Sequence, residues 1–93
     1  MKLSLVIPYW NGAEKIKKHL RGVIEIANKS GISEIIACDD ASTDETVEIL
    51  KNEFPEVILV ERKINGGFSS NVNDGVECAT GDLILLLNSD ADL

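Results

Sequence analysis

Four short clusters hold residue types that can do chemistry: Pro8-Tyr9-Trp10-Asn11, Asp39-Asp40-Ala41-Ser42-Thr43-Asp44, Lys63-Ile64-Asn65-Gly66-Gly67 and Asn88-Ser89-Asp90-Ala91-Asp92. Asp90 and Asp92 are two residues apart, so in an extended segment their carboxylates point the same way. Hard oxygen ligands of that kind suit Mg²⁺ or Mn²⁺, which keep several waters and bind substrate phosphates. A solvated polar turn has the same composition, and the pair alone does not decide between the two. Asp39 and Asp40 repel each other, which asks for a reason. A carboxylate there can accept from the N–H of a base, or Asp40 or Ser42 can cap a following helix. Asp44 suits the first turn of that helix. Asn65-Gly66-Gly67 lets backbone approach a ligand ahead of a helix N-terminus, an anion site, or forms an ordinary turn. Tyr9 and Trp10 can stack on a base or pack; packing is the reading for Trp10.

The segments between the clusters alternate in type. Leu3-Ser4-Leu5-Val6-Ile7 is a buried strand that Pro8 stops. Ile16, Leu20, Val23, Ile24 and Ala27 recur at helical spacing, with Asn11 as the cap and Gly31 after the end. His19 sits beside that stripe as a surface or boundary residue. Glu34 to Cys38 is the second strand. Ser42 and Glu45 form a capping box for a helix carrying Val47, Leu50 and Phe54, which ends before Pro55. Val57 to Val60 is the third strand. A third helix sets Phe68, Val72, Val76 and Ala79 on one stripe, with Gly75 inside at a cost of about 1 kcal/mol. Leu83 to Leu87 is the fourth strand.

The order βαβαβαβ, with strands apolar throughout, predicts an α/β fold: a parallel, doubly wound, Rossmann-like sheet covered on both faces. The expected strand order is 3-2-1-4, reversing between strands 1 and 4. All four clusters then follow strand carboxyl ends and meet along one edge, where open α/β sheets bind ligands.

Composition narrows the partners. Ninety-three residues with a net charge of −7 make one small unit, 1–93, and argue against nucleic acid, which needs a basic surface. No apolar run reaches the ~18 residues of a membrane span, and the start lacks signal-peptide features, so a cytoplasmic location is expected. Cys38 and Cys78 form no paired motif and read as reduced, packed thiols. The dinucleotide fingerprint and the phosphate loop are both absent after strand 1, where PYWNGAEK stands. A phospho-receiver domain would end strand 3 in an acceptor Asp, where Val60-Glu61-Arg62 stands.

The stretches SLVIPYWNGAEKIKKHL, IIACDDASTDETVEIL and ERKINGGFSSNVNDGVECATGDLILLLNSDADL, in this order and spacing, resemble the family 2 glycosyltransferases, which have the GT-A fold. The resemblance implies that Pro8, Tyr9 and Asn11 line a nucleotide pocket and that Asp40 accepts from a uracil or thymine base. It places Gly67 and Asn71 near the nucleotide. It makes Asp90 and Asp92 the DxD motif, with Asp92 the direct metal ligand and Asp90 on ribose or metal. It further implies a UDP- or dTDP-sugar donor, a divalent cation (Mn²⁺ or Mg²⁺) and an inverting transfer. In that chemistry an acceptor hydroxyl, deprotonated by a carboxylate base, displaces the nucleoside diphosphate. The base and acceptor site lie beyond the metal motif in that family, so no catalytic residue is assigned and this chain alone is expected not to transfer.

A second reading, of a different class, is a stand-alone binding or assembly module. Strand 4 is apolar with one edge unpartnered, which predicts a homodimer through the strand 4 edges.

Overall fold

In the computed structural model of the chain, residues 1–88 are described. Among these residues nine elements run in order: β1 (Leu3–Tyr9), α1 (Ala13–Lys15), a π-helical turn (Ile16–Leu20), α2 (Arg21–Lys29), β2 (Glu34–Asp40), α3 (Thr46–Glu53), β3 (Ile58–Arg62), α4 (Phe68–Cys78) and β4 (Leu83–Leu86). The strands form one parallel sheet in the order β3-β2-β1-β4. This is the expected doubly wound arrangement, and it sets the carboxyl ends of all four strands on one edge.

Odd-numbered residues of β1 (Leu5, Ile7, Tyr9) face one layer, built by α1, the π turn, α2 and α3. The helical stripe Ile16, Leu20, Val23, Ile24 and Ala27 is buried there as its spacing predicts. The opposite layer is thinner: Val6, Ile36 and Cys38 lie beneath α4. No helix among the described residues is long and apolar enough to cross a membrane.

Pro8 does not stop β1. The strand continues through it to Tyr9, paired with β2 as far as Tyr9↔Asp39. Leu87 N donates to Val6 O on the β4 side. Pro8, two residues on, turns its backbone the same way, and β4 ends at Leu86, so no ladder donor is needed there. β2 is also longer than its apolar run, carrying both acids inside the sheet, and β3 starts at Ile58 and runs on to Arg62.

Two helix starts differ from their sequence signals. The N-cap of α3 is Glu45, without a side-chain bond, so Ser42 and Glu45 form no capping box. The N-cap of α1 is Gly12, also without a side-chain bond of its own. Asn11 is spent elsewhere, as described below.

The face α4 turns to the sheet is not the apolar stripe. Asn71 and Gly75 are its buried residues, while Phe68 and Val76 are exposed. The reason is proximity. A Cβ on Gly75 would stand 2.1 Å from Cys38 Sγ and 2.9 Å from Val6 Cγ1, so only a glycine lets the helix backbone sit this close to β1 and β2. Burial pushes the Cys38 thiol up to about 12, with Cys78 and Asp74 adding to the rise and Arg62 opposing it. Cys78 itself is exposed, so the two thiols are not both packed.

The close contact makes a direct prediction. Gly75→Ala should lower the unfolding free energy by about 1–3 kcal/mol, as overpacking does, despite alanine's better helix propensity. Urea denaturation checks it; an unchanged or higher midpoint would show that the helix can lift off at no cost.

Candidate functional site

The rim is built from backbone turns locked to one another by side chains, Asp39, Asp40 and Thr46 buried and Asn11 and Asp44 exposed. Asp40 ends β2 and is 3% exposed. Its Oδ1 accepts from Gly66 N at 3.0 Å and its Oδ2 from Gly67 N at 2.9 Å. Arg62, which ends β3 opposite Asp40 in register, brings Nη1 to 3.1 Å from Oδ1. That approach is an ion pair at an angle outside hydrogen bonding, since Nη1 has no hydrogen-bond partner among the described residues. The turn before α4 is therefore an anion site, as its glycines suggest, but the anion it holds is internal. Gly67 is the N-cap of α4 with φ 92°, a backbone region where L side chains are strained.

Asp39 points to the other face and is 1% exposed. It accepts from Ser42 N at 3.1 Å and from the Ser42 hydroxyl. Ala41 between them takes φ 58°, an uncommon conformation for a residue with a Cβ, held by this turn. The two neighbouring acids thus point to opposite faces, each with its own donors.

Asn11 joins the first and second clusters. It turns at φ 50°, and its Oδ1 accepts from Thr43 N at 2.8 Å and Asp44 N at 3.3 Å. Its own N–H donates to Ser42 Oγ at 2.8 Å. In return the second cluster satisfies the first helix. Gly12 N donates to Thr46 Oγ1 at 3.0 Å and Ala13 N to Asp44 Oδ2 at 3.2 Å. Asp44 Oδ1 also accepts from Thr46 N at 2.9 Å and from its hydroxyl. Asp44 therefore serves the N-termini of α1 and α3 together. What burial it has raises its pKa, but the bonds from Thr46 and Ala13 outweigh that and hold it below the ordinary carboxylate value.

The residues expected in a nucleotide pocket divide into two kinds. Asn11 and Gly67 are exposed on the rim, beside Gly66. Pro8, Tyr9, Asp40 and Asn71 are buried beneath it. Tyr9 is 5% exposed and packs in the larger core under Gly12, where burial raises its hydroxyl to about 12. Asn71 is 2% exposed and ties two strand ends: Nδ2 donates to Cys38 O at 2.9 Å and reaches Tyr9 O at 3.5 Å. Its Oδ1 has no partner among the described residues. Trp10, expected to pack, is instead 59% exposed at the mouth of the first cluster. Asp90 and Asp92 lie outside the described residues. Among the described residues no group of three His, Cys, Asp or Glu side chains could hold a metal ion.

Fold and rim together define an α/β domain of the GT-A type, with its polar edge at the strand carboxyl ends. The chain matches Glycosyl transferase family 2 over residues 4–92 and belongs to that family. It is 36% identical to poly(ribitol-phosphate) beta-glucosyltransferase of Bacillus spizizenii, over 97% of this chain and 15% of that protein. It is 31% identical to a dolichyl-phosphate beta-glucosyltransferase of Trichomonas vaginalis, over 95% of this chain and 30% of that protein. Among solved structures it resembles S. aureus TarS 1–349 in complex with UDP-GlcNAc (TM-score 0.79, 28% identity, 97% of this chain and 27% of that one). It also resembles a mannosyltransferase from Pyrobaculum calidifontis in complex with GDP-Man and Mn²⁺ (TM-score 0.80, 26% identity, 98% and 28%). The chain spans less than a third of each of these relatives.

The double service of Asp44 carries a pH signature. Its folded-state pKa is depressed, so its contribution is complete above the ordinary 3.8 and is lost as the pH falls below that value. Asp44→Ala should cost about 1 kcal/mol near neutrality, the worth of a helix cap, and the gap from wild type should close below pH 3.8. Urea unfolding at both pH values reads this; a constant gap would remove the role.

Proposed function

We propose that this chain supplies the nucleotide-sugar donor site of a metal-dependent, inverting family 2 glycosyltransferase. The observation that carries the reading is the interlocked rim at the strand carboxyl ends, in a chain of this family whose structural neighbours include complexes with UDP-GlcNAc and with GDP-Man and Mn²⁺.

The burial pattern supports the following residue roles. Trp10 and Asn11 are the exposed groups of the first cluster and meet the base and ribose, Trp10 by stacking. Among the described residues Asp40 Oδ1 is taken by Gly66 N and Arg62, whereas Oδ2 accepts only Gly67 N. A carboxylate oxygen has two lone pairs, so Oδ2 keeps one for the N–H of uracil or thymine. Pro8, Tyr9 and Asn71 act from beneath by fixing the strand ends that carry these groups. Gly67 keeps the third cluster's backbone open to the ligand. Asp92, with Asp90, would hold Mn²⁺ or Mg²⁺ by carboxylate oxygens alongside the donor's phosphates, a donor set that suits a hard cation. Held there, a cation would supply positive charge to offset that developing on the departing diphosphate.

Calorimetry with UDP and TDP, with and without Mn²⁺, tests the donor site. UDP or TDP should bind, tighter with Mn²⁺, and Asp92→Ala should remove the Mn²⁺ enhancement. Trp10, the only tryptophan, should change its fluorescence over the same titration. Absence of binding by either nucleotide at millimolar concentration would defeat the reading.

A second reading, assembly into a homodimer, is favoured by one observation. All four β4 residues are at least 36% exposed, β4 pairs only with β1 among the described residues, and an apolar groove of about 270 Å³ lies beside it, lined by Val23, Ile26, Leu85 and Leu86 among others. Unpaired apolar edges invite pairing. Light scattering at high micromolar concentration should return twice the chain mass; a monomer mass excludes this reading.

A further inference from the structure

The guanidinium of Arg62 touches three partners that belong to different parts of the rim. Nη1 is 3.1 Å from Asp40 Oδ1, Nε is 3.0 Å from Asp74 Oδ2, and Nη2 donates to Ser70 Oγ at 2.7 Å. The side chain is only 15% exposed. Ser70 and Asp74 lie in the first two turns of α4, and Asp40 ends the neighbouring strand. A separate observation points to the same group. A Cβ on Gly66 would fall 2.5 Å from Arg62 Nη2 and 3.3 Å from Cζ, so the glycine turn lies directly against the guanidinium.

We propose that Arg62 is the positioning residue of the rim: it holds the Asp40 carboxylate on the Gly66 and Gly67 amides and fastens that assembly to α4. The chemistry requires arginine. A planar fork with five donors can face three partners in fixed directions, while a lysine ammonium is one compact charge. Burying the Asp40 carboxylate is costly unless it is both paired and hydrogen-bonded. The two glycine amides supply the bonds and Arg62 the opposite charge. A side chain at Gly66 would force the guanidinium to shift from this place. The functional consequence rests on the donor-site reading: with Asp40 held this way, its remaining lone pair keeps one direction, so a base meets a preorganised acceptor.

The test reads the positioning and the binding separately, on the full ¹⁵N-labelled chain. Gly66 and Gly67 are exposed and their amides donate to Asp40, so protection of these amides from hydrogen exchange would report on that carboxylate. In Arg62→Met their exchange should quicken about tenfold, the worth of one charge-assisted contact, while the buried Ile36 amide stays unchanged. Arg62→Lys should fall between, restoring charge without the fork. Unchanged exchange at both glycines in folded Arg62→Met overturns the proposal. Should Arg62→Met not fold, Gly66→Ala, which displaces the guanidinium, must quicken Gly67 exchange, and unaltered exchange there is equally fatal. In calorimetry Arg62→Met should raise the Kd for UDP about tenfold. Failure of the wild type to bind UDP would sink the donor reading alone, because the glycine amides still judge the role of Arg62.

Discussion

A carboxylate almost withdrawn from water must find donors and a counter-charge nearby, or the fold pays for its desolvation. Asp40 is that carboxylate. Its donors are the amides of Gly66 and Gly67, and its counter-charge is Arg62. These belong to the end of β3 and the turn before α4, so satisfying one buried charge draws three segments into register. The helix start that would otherwise seek an anion from solution already has one. This decides how the edge can act: the glycine turn offers shape and an oriented acceptor rather than a vacant phosphate cradle.

The other half of the rim obeys the same logic with an amide, a hydroxyl and a second carboxylate. Asn11 completes the turn of the second cluster, and Asp44 of that cluster, with Thr46 at the start of α3, completes the start of the first helix. Neither loop is finished without the other. Reciprocal dependence of this kind preorganises a surface before any ligand arrives, and preorganisation is what lets a small site bind without a large ordering cost. In the proposed donor site the exposed groups, Trp10 and Asn11, stand on this frame, while Pro8, Tyr9 and Asn71 stay below as its supports.

Much of this was legible in the sequence, and the exceptions share a cause. Parallel strands buried on both faces read as continuous apolar runs, so strand order and the gathering of the clusters followed from β1, β2 and their helices. The stripe from Ile16 to Ala27 was equally plain. Local signals misled where tertiary partners replaced local ones. Asn11 resembled a helix cap, and Ser42 with Glu45 resembled a capping box. In the fold Asn11 instead serves the loop after β2, and Ser42 is bound by Asp39. Hydrophobic periodicity chose Phe68, Val72 and Val76 for the buried side of α4, because it weighs side-chain burial and is blind to backbone proximity. Gly75 and Asn71 win that face, one by having no side chain and the other by bonding two strand-end carbonyls. Arg62 was invisible as a site residue, since nothing in ERKINGG distinguishes an arginine aimed inward from one in solvent.

Loops remote in sequence thus act as one surface at the strand carboxyl ends. Amide shift mapping with UDP and Mn²⁺ reads all of them at once. Perturbations are expected at residues 10–12, 40–44, 65–67 and 88, with none at the amino-terminal edge near Lys2, Ser33 and Asp82. Shifts gathered at that opposite edge, or confined to one loop, would contradict a single surface.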